Sequence, residues 1–220
     1  MRAITKIMKR KIKVINSEKG YNLAAEFYDQ KEKYLNSFEQ GKLIPLLGNL
    51  TGKNVLDIGA GTGRLSVLLA NRGAKVTALD VSSEMLKKIK KAKNQEIKIV
   101  IGDAENLPFA DNTFDIVVAA FLIVHLKDPT KFFDEAYRVL KDEETFVVTN
   151  INQKDPPLVK TKEGEILIES FYHRPEKIRE ILEELAFRVE KEMFINEKVT
   201  EETIVRGKDL WINQIILAKK

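Results

Sequence analysis

The chain has 220 residues, 44% hydrophobic and 32% charged, with no cysteine and two histidines. That suffices for one globular domain with a real core, and it excludes disulfides, cysteine-ligated zinc, iron–sulfur clusters, a cysteine nucleophile and a histidine-rich metal site. The net charge of +4 is uneven: residues 1–20 carry Arg2, Lys6, Lys9, Arg10, Lys11, Lys13 and Lys19 against Glu18, a local +6 that leaves residues 21–220 at −2.

Residues 1–20 therefore read as a basic N-terminal arm, and the body 21–220 lacks the footprint of a protein that grips nucleic acid across its main face. The arm has no apolar h-region and the chain has no run of ~20 apolar residues, so a cytoplasmic setting is expected. Ile4, Ile7, Met8 and Lys11 allow an amphipathic helix on an anionic membrane, and the arm's charge also suits RNA or a protein partner. Ala24, Tyr28, Leu35 and Phe38 share roughly one face at the helical period, which predicts an amphipathic helix over 21–40, followed by a short one ending near Gly48. The pattern then alternates: strand Asn54–Ile58, a glycine turn, helix Leu65–Ala70, strand Ala74–Leu79, and a helix capped by Ser82 with Glu84 in its first turn and Lys87, Lys88, Lys90, Lys91 and Lys93 later. That lysine run reads as a solvated helix face.

Ile97–Ile101 and Phe114–Phe121 are the next strands, the latter a continuous apolar run suited to the middle of a parallel sheet. Asp128 as cap and Pro129 at the first helical position open a helix to about Lys141. Thr145–Asn150 is a fifth strand, 151–174 a long excursion, Pro175–Leu185 a helix, and Phe187–Ile195 with Leu210–Leu217 a final antiparallel pair. The expected fold is α/β: a doubly wound, Rossmann-like, seven-stranded sheet, mostly parallel with an antiparallel C-terminal strand.

In such sheets ligands bind beyond the carboxyl ends of the strands, here at Asp57-Ile58-Gly59-Ala60-Gly61-Thr62-Gly63-Arg64. The spacing is GxGxG; Arg64 stands where a dinucleotide site needs its third glycine, and no Gly-Lys-Ser/Thr follows for a P-loop. Asp80 ends the second strand, 17 residues past Gly63, where a carboxylate accepts both hydroxyls of a ribose. Asp103, followed by Ala104, follows the third strand, placed to accept from the exocyclic amine of an adenine lying against Val81 and Met85. Asp57 adds a carboxylate able to face an amino group. A pyrophosphate site avoids such carboxylates; a zwitterionic amino acid joined to adenosine does not.

The blocks VLDIGAGTGRLSVLLANRGAKVTALDVSSEML, GDAENLPFADNTFDIVVAAFLIVHLKDP and FFDEAYRVLK, from about Asn54 to Asn150, resemble the class I S-adenosylmethionine (SAM) dependent methyltransferases, in particular the quinone C-methyltransferases and malonyl-carrier-protein O-methyltransferases. The upstream YNLAAEFYD resembles the helix that closes over the cofactor in these families, which makes residues 21–50 lid helices and 151–174 the substrate side. The resemblance implies that Asp57, Gly59, Ala60, Gly61 and Gly63 serve the methionine end, Asp80 the ribose, Asp103 and Ala104 the adenine, and Phe121 the edge of the sulfonium pocket, with Tyr28 touching the cofactor. It departs at Asp142-Glu143-Glu144, where the family has Pro-Gly-Gly, and at Ala186, where it has glycine.

Methyl transfer from a sulfonium is an in-line displacement that positioning and exclusion of water can largely supply; a base is needed where the acceptor must lose a proton. His125 is the candidate catalytic base, but the favoured reading is a hydrogen-bonded structural residue at the start of the next helix. Tyr21, His125, Tyr172, His173 and Arg174 are the candidate acceptor contacts, Arg174 through its forked donors. The expected function is methyl transfer from SAM to a small-molecule or carrier-bound acceptor, without metal; an RNA or protein methyltransferase docking through the arm, and a SAM-fold subunit without chemistry, are the alternatives.

Overall fold

An apolar run such as Phe114–Ala119 is satisfied only where both faces of a strand are covered. The computed structural model of the chain places it so, and describes residues 12–29, 35, 36, 39, 41–89, 97–196 and 211–220. Most of the basic arm, and Lys90, Lys91, Lys93 and Phe38, lie outside the described residues. In chain order the elements are β1 (Val14–Ile15), α1 (Ser17–Tyr28), α2 (Leu43–Leu46), β2 (Asn54–Ile58), α3 (Arg64–Ala70), β3 (Lys75–Asp80), α4 (Ser83–Leu86), β4 (Lys98–Ile101), β5 (Phe114–Ala119), a 3-10 turn (Ile123–His125), α5 (Thr130–Val139), β6 (Leu140–Ile151), β7 (Leu158–Thr161), β8 (Gly164–Ile168), α6 (Pro175–Glu184), β9 (Arg188–Asn196) and β10 (Trp211–Lys219).

Seven strands form one sheet in the order β4-β3-β2-β5-β6-β10-β9. β4 through β6 pair in parallel, and β10 runs antiparallel to both neighbours, as the strand alternation leads one to expect. The pleat sorts side chains to two cores. Leu56 and Ile58 of β2 with Val117 and Ala119 of β5 join Phe132, Phe133, Ile178 and Leu182 on one face. Val55, Ile116 and Val118 join Leu43, Leu65 and Leu69 on the other. Chain order reverses beside β2, which has β3 on one side and β5 on the other, so a crevice opens between the carboxyl ends of β2 and β5.

Three expectations are corrected. The excursion 151–174 contains β7 and β8, which with β1 make a second, three-stranded sheet; Ile168 and Val159 pack on Ala24 of α1, and a Cβ on Gly20 would lie 2.9 Å from Ile168 Cγ1. The arm boundary at residue 20 falls too late, because β1 pairs with β8 and α1 begins at Ser17, capped by Asn16 accepting from the Lys19 N–H at 3.0 Å. Pro129 occupies the cap position of α5 and not its first turn; Asp128 Oδ1 accepts from the Thr130 N–H at 3.0 Å and from its hydroxyl at 2.7 Å.

Both departures from the family's glycines fall at left-handed backbone, Glu143 at φ 59° and Ala186 at φ 66°. Ala186 closes α6: its N–H donates to Glu183 O at 3.1 Å and that of Phe187 to Leu182 O at 2.9 Å, the paired bonds of a Schellman end that favours glycine. Ala186→Gly is expected to stabilise the fold by ~1 kcal/mol, read as a raised urea midpoint; a lowered midpoint would refute the strain assigned to that turn.

Candidate functional site

β2 ends at Ile58 and the chain turns through Gly59, Gly61 and Gly63 at φ 73°, 56° and 84°. Positive φ at three alternate positions is accessible to glycine at little cost. Gly63 has a second reason: a Cβ there would meet Ile89 at 2.8 Å. The loop is tied to the end of β3 by Gly59 and Ala60 N–H to Leu79 O at 2.8 and 3.0 Å and by the Gly61 N–H to Asp80 Oδ2 at 2.8 Å. Asp80 Oδ1 accepts from the Ser82 N–H at 2.8 Å. The Val81 N–H also interacts with this carboxylate, and a carboxylate offers about four lone-pair sites, so acceptor capacity remains for a ligand. Burial raises the Asp80 pKa, opposed by these backbone donors.

A cavity of about 300 Å³ lies over this loop, within the range of small-ligand sites. Gly59, Gly61, Asp80, Val81, Met85, Asp103, Ala104, Phe121, Tyr21, Tyr28 and His125 all contribute to its wall. Val81 and Met85 lie beyond β3, and Asp103 beyond β4 with its Oδ1 accepting from the Glu105 N–H at 2.9 Å. Asp57, Ala60, Gly59 and Gly61 line a smaller adjoining hollow with Arg64, and Gly63 lines a cleft with Tyr28 and Arg64. Phe121 leaves β5 at φ 61°, strained for an aromatic residue, with its N–H on Thr149 Oγ1 at 2.9 Å.

Tyr172, His173 and Arg174 are not among the residues lining this cavity, against the expected convergence. His173 Nε2 is hydrogen-bonded to the carbonyls of Ile123 and Leu126 at 3.0 and 2.9 Å, the ring of Tyr172 lies under Lys154 Nζ, and Arg174 is exposed at the cap of α6. The segment bends back to brace the turn that carries His125. That residue sits in the 3-10 turn and not at the start of α5. Its Nδ1 meets Glu169 O at 3.0 Å and its Nε2 the Tyr21 hydroxyl at 2.7 Å.

Several contacts carry no sequence motif of their own. Arg64 makes a forked pair with buried Glu39, 2.9 and 3.0 Å, donates to Asn36 Oδ1 at 2.9 Å, and holds its guanidinium 5.5 Å from the Phe121 ring centre. Asn22 Oδ1 accepts from the Ser82 hydroxyl and the Glu84 N–H at 2.8 and 3.1 Å, pinning α1 beside the cavity. Glu84 also pairs with Lys87. Among the described residues no group of three or more His, Asp or Glu is placed to hold a metal, and no helix is long and apolar enough to cross a membrane.

A sheet of this order with a carboxyl-edge cavity over a glycine turn is the class I methyltransferase architecture. A family model described as a methyltransferase domain matches residues 56–148. Over 181 residues the chain is 33% identical to a ubiquinone/menaquinone biosynthesis C-methyltransferase of Rickettsia bellii, covering 73% of this chain and 69% of the relative. It is 39% identical over 110 residues to a demethylmenaquinone methyltransferase of Renibacterium salmoninarum, covering 50% of this chain and 46% of that one. The structure of magnesium protoporphyrin IX methyltransferase from Synechocystis PCC 6803 with bound SAM superposes with a TM-score of 0.63 at 18% identity, over 88% of this chain and 84% of that one. The chain belongs to the class I SAM-dependent methyltransferases, in the quinone C-methyltransferase group. It spans about half the length of the demethylmenaquinone methyltransferases it matches.

Asp57 is buried and accepts from the Ser66 hydroxyl at 2.6 Å. Burial pushes its carboxyl up to about 6, against the pull of Ser66 and Arg64. Between about pH 4 and 6 the folded chain then binds more protons than the unfolded one, so stability falls as pH rises through that window and stays lower above it, by on the order of 3 kcal/mol. Asp57→Asn removes the charge: in urea denaturation its stability relative to the unsubstituted chain is expected to improve by on the order of 1–3 kcal/mol between pH 4 and pH 7. A constant difference across that range would assign the pH dependence elsewhere.

Proposed function

We propose that the chain transfers a methyl group from SAM to a small-molecule acceptor, and that the acceptor is a ring compound of the quinone class. The observation that carries this reading is the 300 Å³ cavity whose wall holds Asp80 and Asp103 beyond successive strands, the positions suited to a ribose and an adenine amine. The charge of the cavity wall also suits the cofactor. Carboxylates face it from three segments, Glu18 of α1, Asp80, and Asp103 with Glu105, while the neighbouring cation Arg64 is matched by Glu39, so a sulfonium and an α-amino group meet a favourable field.

In this reading Asp80 takes the ribose hydroxyls, Asp103 and Ala104 the adenine edge, Val81 and Met85 its faces, and the Gly59–Gly63 loop with Asp57 and Ala60 the methionine end. Phe121 and Tyr28 border the sulfonium, and α1 acts as the lid. Bound there, the cofactor supplies an electrophilic methyl carbon; the chain's residues bind, orient and exclude water. The relatives, a demethylmenaquinone methyltransferase and a ubiquinone/menaquinone biosynthesis C-methyltransferase, support a quinone-type acceptor. The setting is cytoplasmic, with the basic residues that precede β1 as a contact for an anionic partner.

Titration calorimetry tests this. The chain is expected to bind SAM and S-adenosylhomocysteine without metal, Asp80→Ala to lose ~1–3 kcal/mol, and exposed Asp103→Ala to lose ~1 kcal/mol while folding as the parent does. NAD binding as tight as SAM binding, or unchanged affinity in both variants, would overturn the assignment.

A further inference from the structure

The Tyr21–His125 contact has a direction that geometry settles. A carbonyl only accepts, so the bond to Glu169 O at 3.0 Å places the proton on His125 Nδ1. A neutral imidazole then has Nε2 as an acceptor, and the Tyr21 hydroxyl, 2.7 Å away, donates to it. Both side chains line the cavity. Tyr21 is held edge-on to the His125 ring at 5.1 Å and to the Tyr28 ring at 5.7 Å, and its helix is fixed through Asn22. The histidine is oriented by a third group and the tyrosine by the histidine, the arrangement that activates a hydroxyl for proton transfer.

We propose that Tyr21 is a catalytic residue that takes a proton from the methyl acceptor, that His125 acts through it, and that the acceptor is therefore a weakly acidic hydroxyl compound, a phenol or enol, methylated on oxygen or on a conjugated carbon. This rests on the methyltransferase reading above. As the acceptor's electron pair forms the bond to the methyl carbon, the carbon–sulfur bond breaks and its pair stays on sulfur. The acceptor proton passes to the Tyr21 oxygen, the Tyr21 proton passes to His125 Nε2, and the imidazolium later releases it to solvent.

The charge balance favours this order. One positive charge leaves the sulfonium as one appears on the imidazole, so the net charge of the site is unchanged across the step. Before transfer, burial holds the His125 pKa down, opposed by the Glu169 carbonyl, which keeps Nε2 free to accept. Burial raises the Tyr21 pKa, with Tyr28 and Asp80 adding to it, so the phenol keeps its proton until the acceptor's arrives. The groups facing the pair are Glu18 and Tyr28 of α1, Asp80 after β3, and Asp103 and Glu105 after β4; the second histidine is engaged by the carbonyls of Ile123 and Leu126. The surrounding carboxylates oppose none of the imidazolium's charge.

Two histidines make the spectrum simple. In the full chain labelled with 15N-histidine, His125→Gln assigns the signal, which is expected to show a proton on Nδ1 and none on Nε2 at pH 7.5. Tyr21→Phe should move the Nε2 resonance and leave His173 unmoved. With S-adenosylhomocysteine bound, the His125 titration midpoint should lie about 1 pH unit above that with SAM, whose like charge disfavours the imidazolium. A proton on Nε2, or equal midpoints in the two complexes, would overturn the pair. In a second arm, methyl-labelled SAM is incubated with a small-molecule extract: label on phenolic or enolic products, falling roughly 10²–10⁴-fold in rate in Tyr21→Phe with SAM affinity unchanged, is expected. Label on amines or thioethers, or an undiminished rate in Tyr21→Phe, would refute the proposal. Absence of SAM binding and of any label would refute the methyltransferase reading instead, while the tautomer and Tyr21→Phe spectra would still decide whether the pair exists.

Discussion

The bond from the Gly61 N–H to the Asp80 carboxylate is the constraint on which the site depends. It joins the turn after β2 to the end of β3, two parallel neighbours whose register already places Ile58 beside Leu79. With Gly59 and Ala60 bound to Leu79 O and Gly63 to Ala60 O, the loop cannot swing over the sheet edge, and the Asp80 carboxylate is held in the cavity wall. The three positive φ angles are the backbone's way of meeting that demand; a side chain at Gly63 would collide with Ile89, and one at Gly59 would crowd Leu122. The carboxylate that organises the loop is thus also the one offered to a ligand, so loop order and ligand affinity rise or fall together.

Holding such carboxylates near apolar walls opposes folding. Asp57 and Asp80 both have raised pKa values because burial disfavours their charged forms, and a cationic ligand compensates a cost the empty chain bears alone. Arg64 offsets part of that cost at Asp57, although its fork is matched by buried Glu39. Arg64 also ties Glu39 to the start of α3 and lies over the Phe121 ring, where the backbone is strained.

The sheet was legible because its signals are local and redundant. Apolar strands, glycine stops and capping residues such as Ser82 and Asn54–Ile58's following turn each mark their own element, and GxGxG with Asp80 and Asp103 recurs at successive strand ends, where topology must bring them together. The second sheet was not legible: β1 has two residues and its partner β8 lies about 150 positions away, so no window of sequence contains the pairing. Tyr172-His173-Arg174 was misplaced for a related reason. Those residues carry the right chemistry, but His173 is consumed by two carbonyls of the Ile123–Leu126 turn, a contact that depends on how the excursion folds back. The bond between Tyr21 and His125 was not legible either, because the two residues are 104 positions apart and a tyrosine on an apolar helix face reads the same with or without such a partner.

That small second sheet links the two halves of the site. Its inner face packs on α1 through Ile168 and Val159, its end supplies the Glu169 carbonyl that sets the His125 tautomer, and Lys162 pairs with Glu26 on the same helix. The tyrosine and the group that orients its histidine are therefore carried by one packed unit, while the glycine loop belongs to the main sheet. Asn22 bridges the two units at Ser82 and Glu84, directly after Asp80. α1 thus carries both the Tyr21 hydroxyl bonded to His125 and the Asn22 side-chain carbonyl bonded at Ser82 and Glu84, so one helix fixes both attachments of this cavity wall.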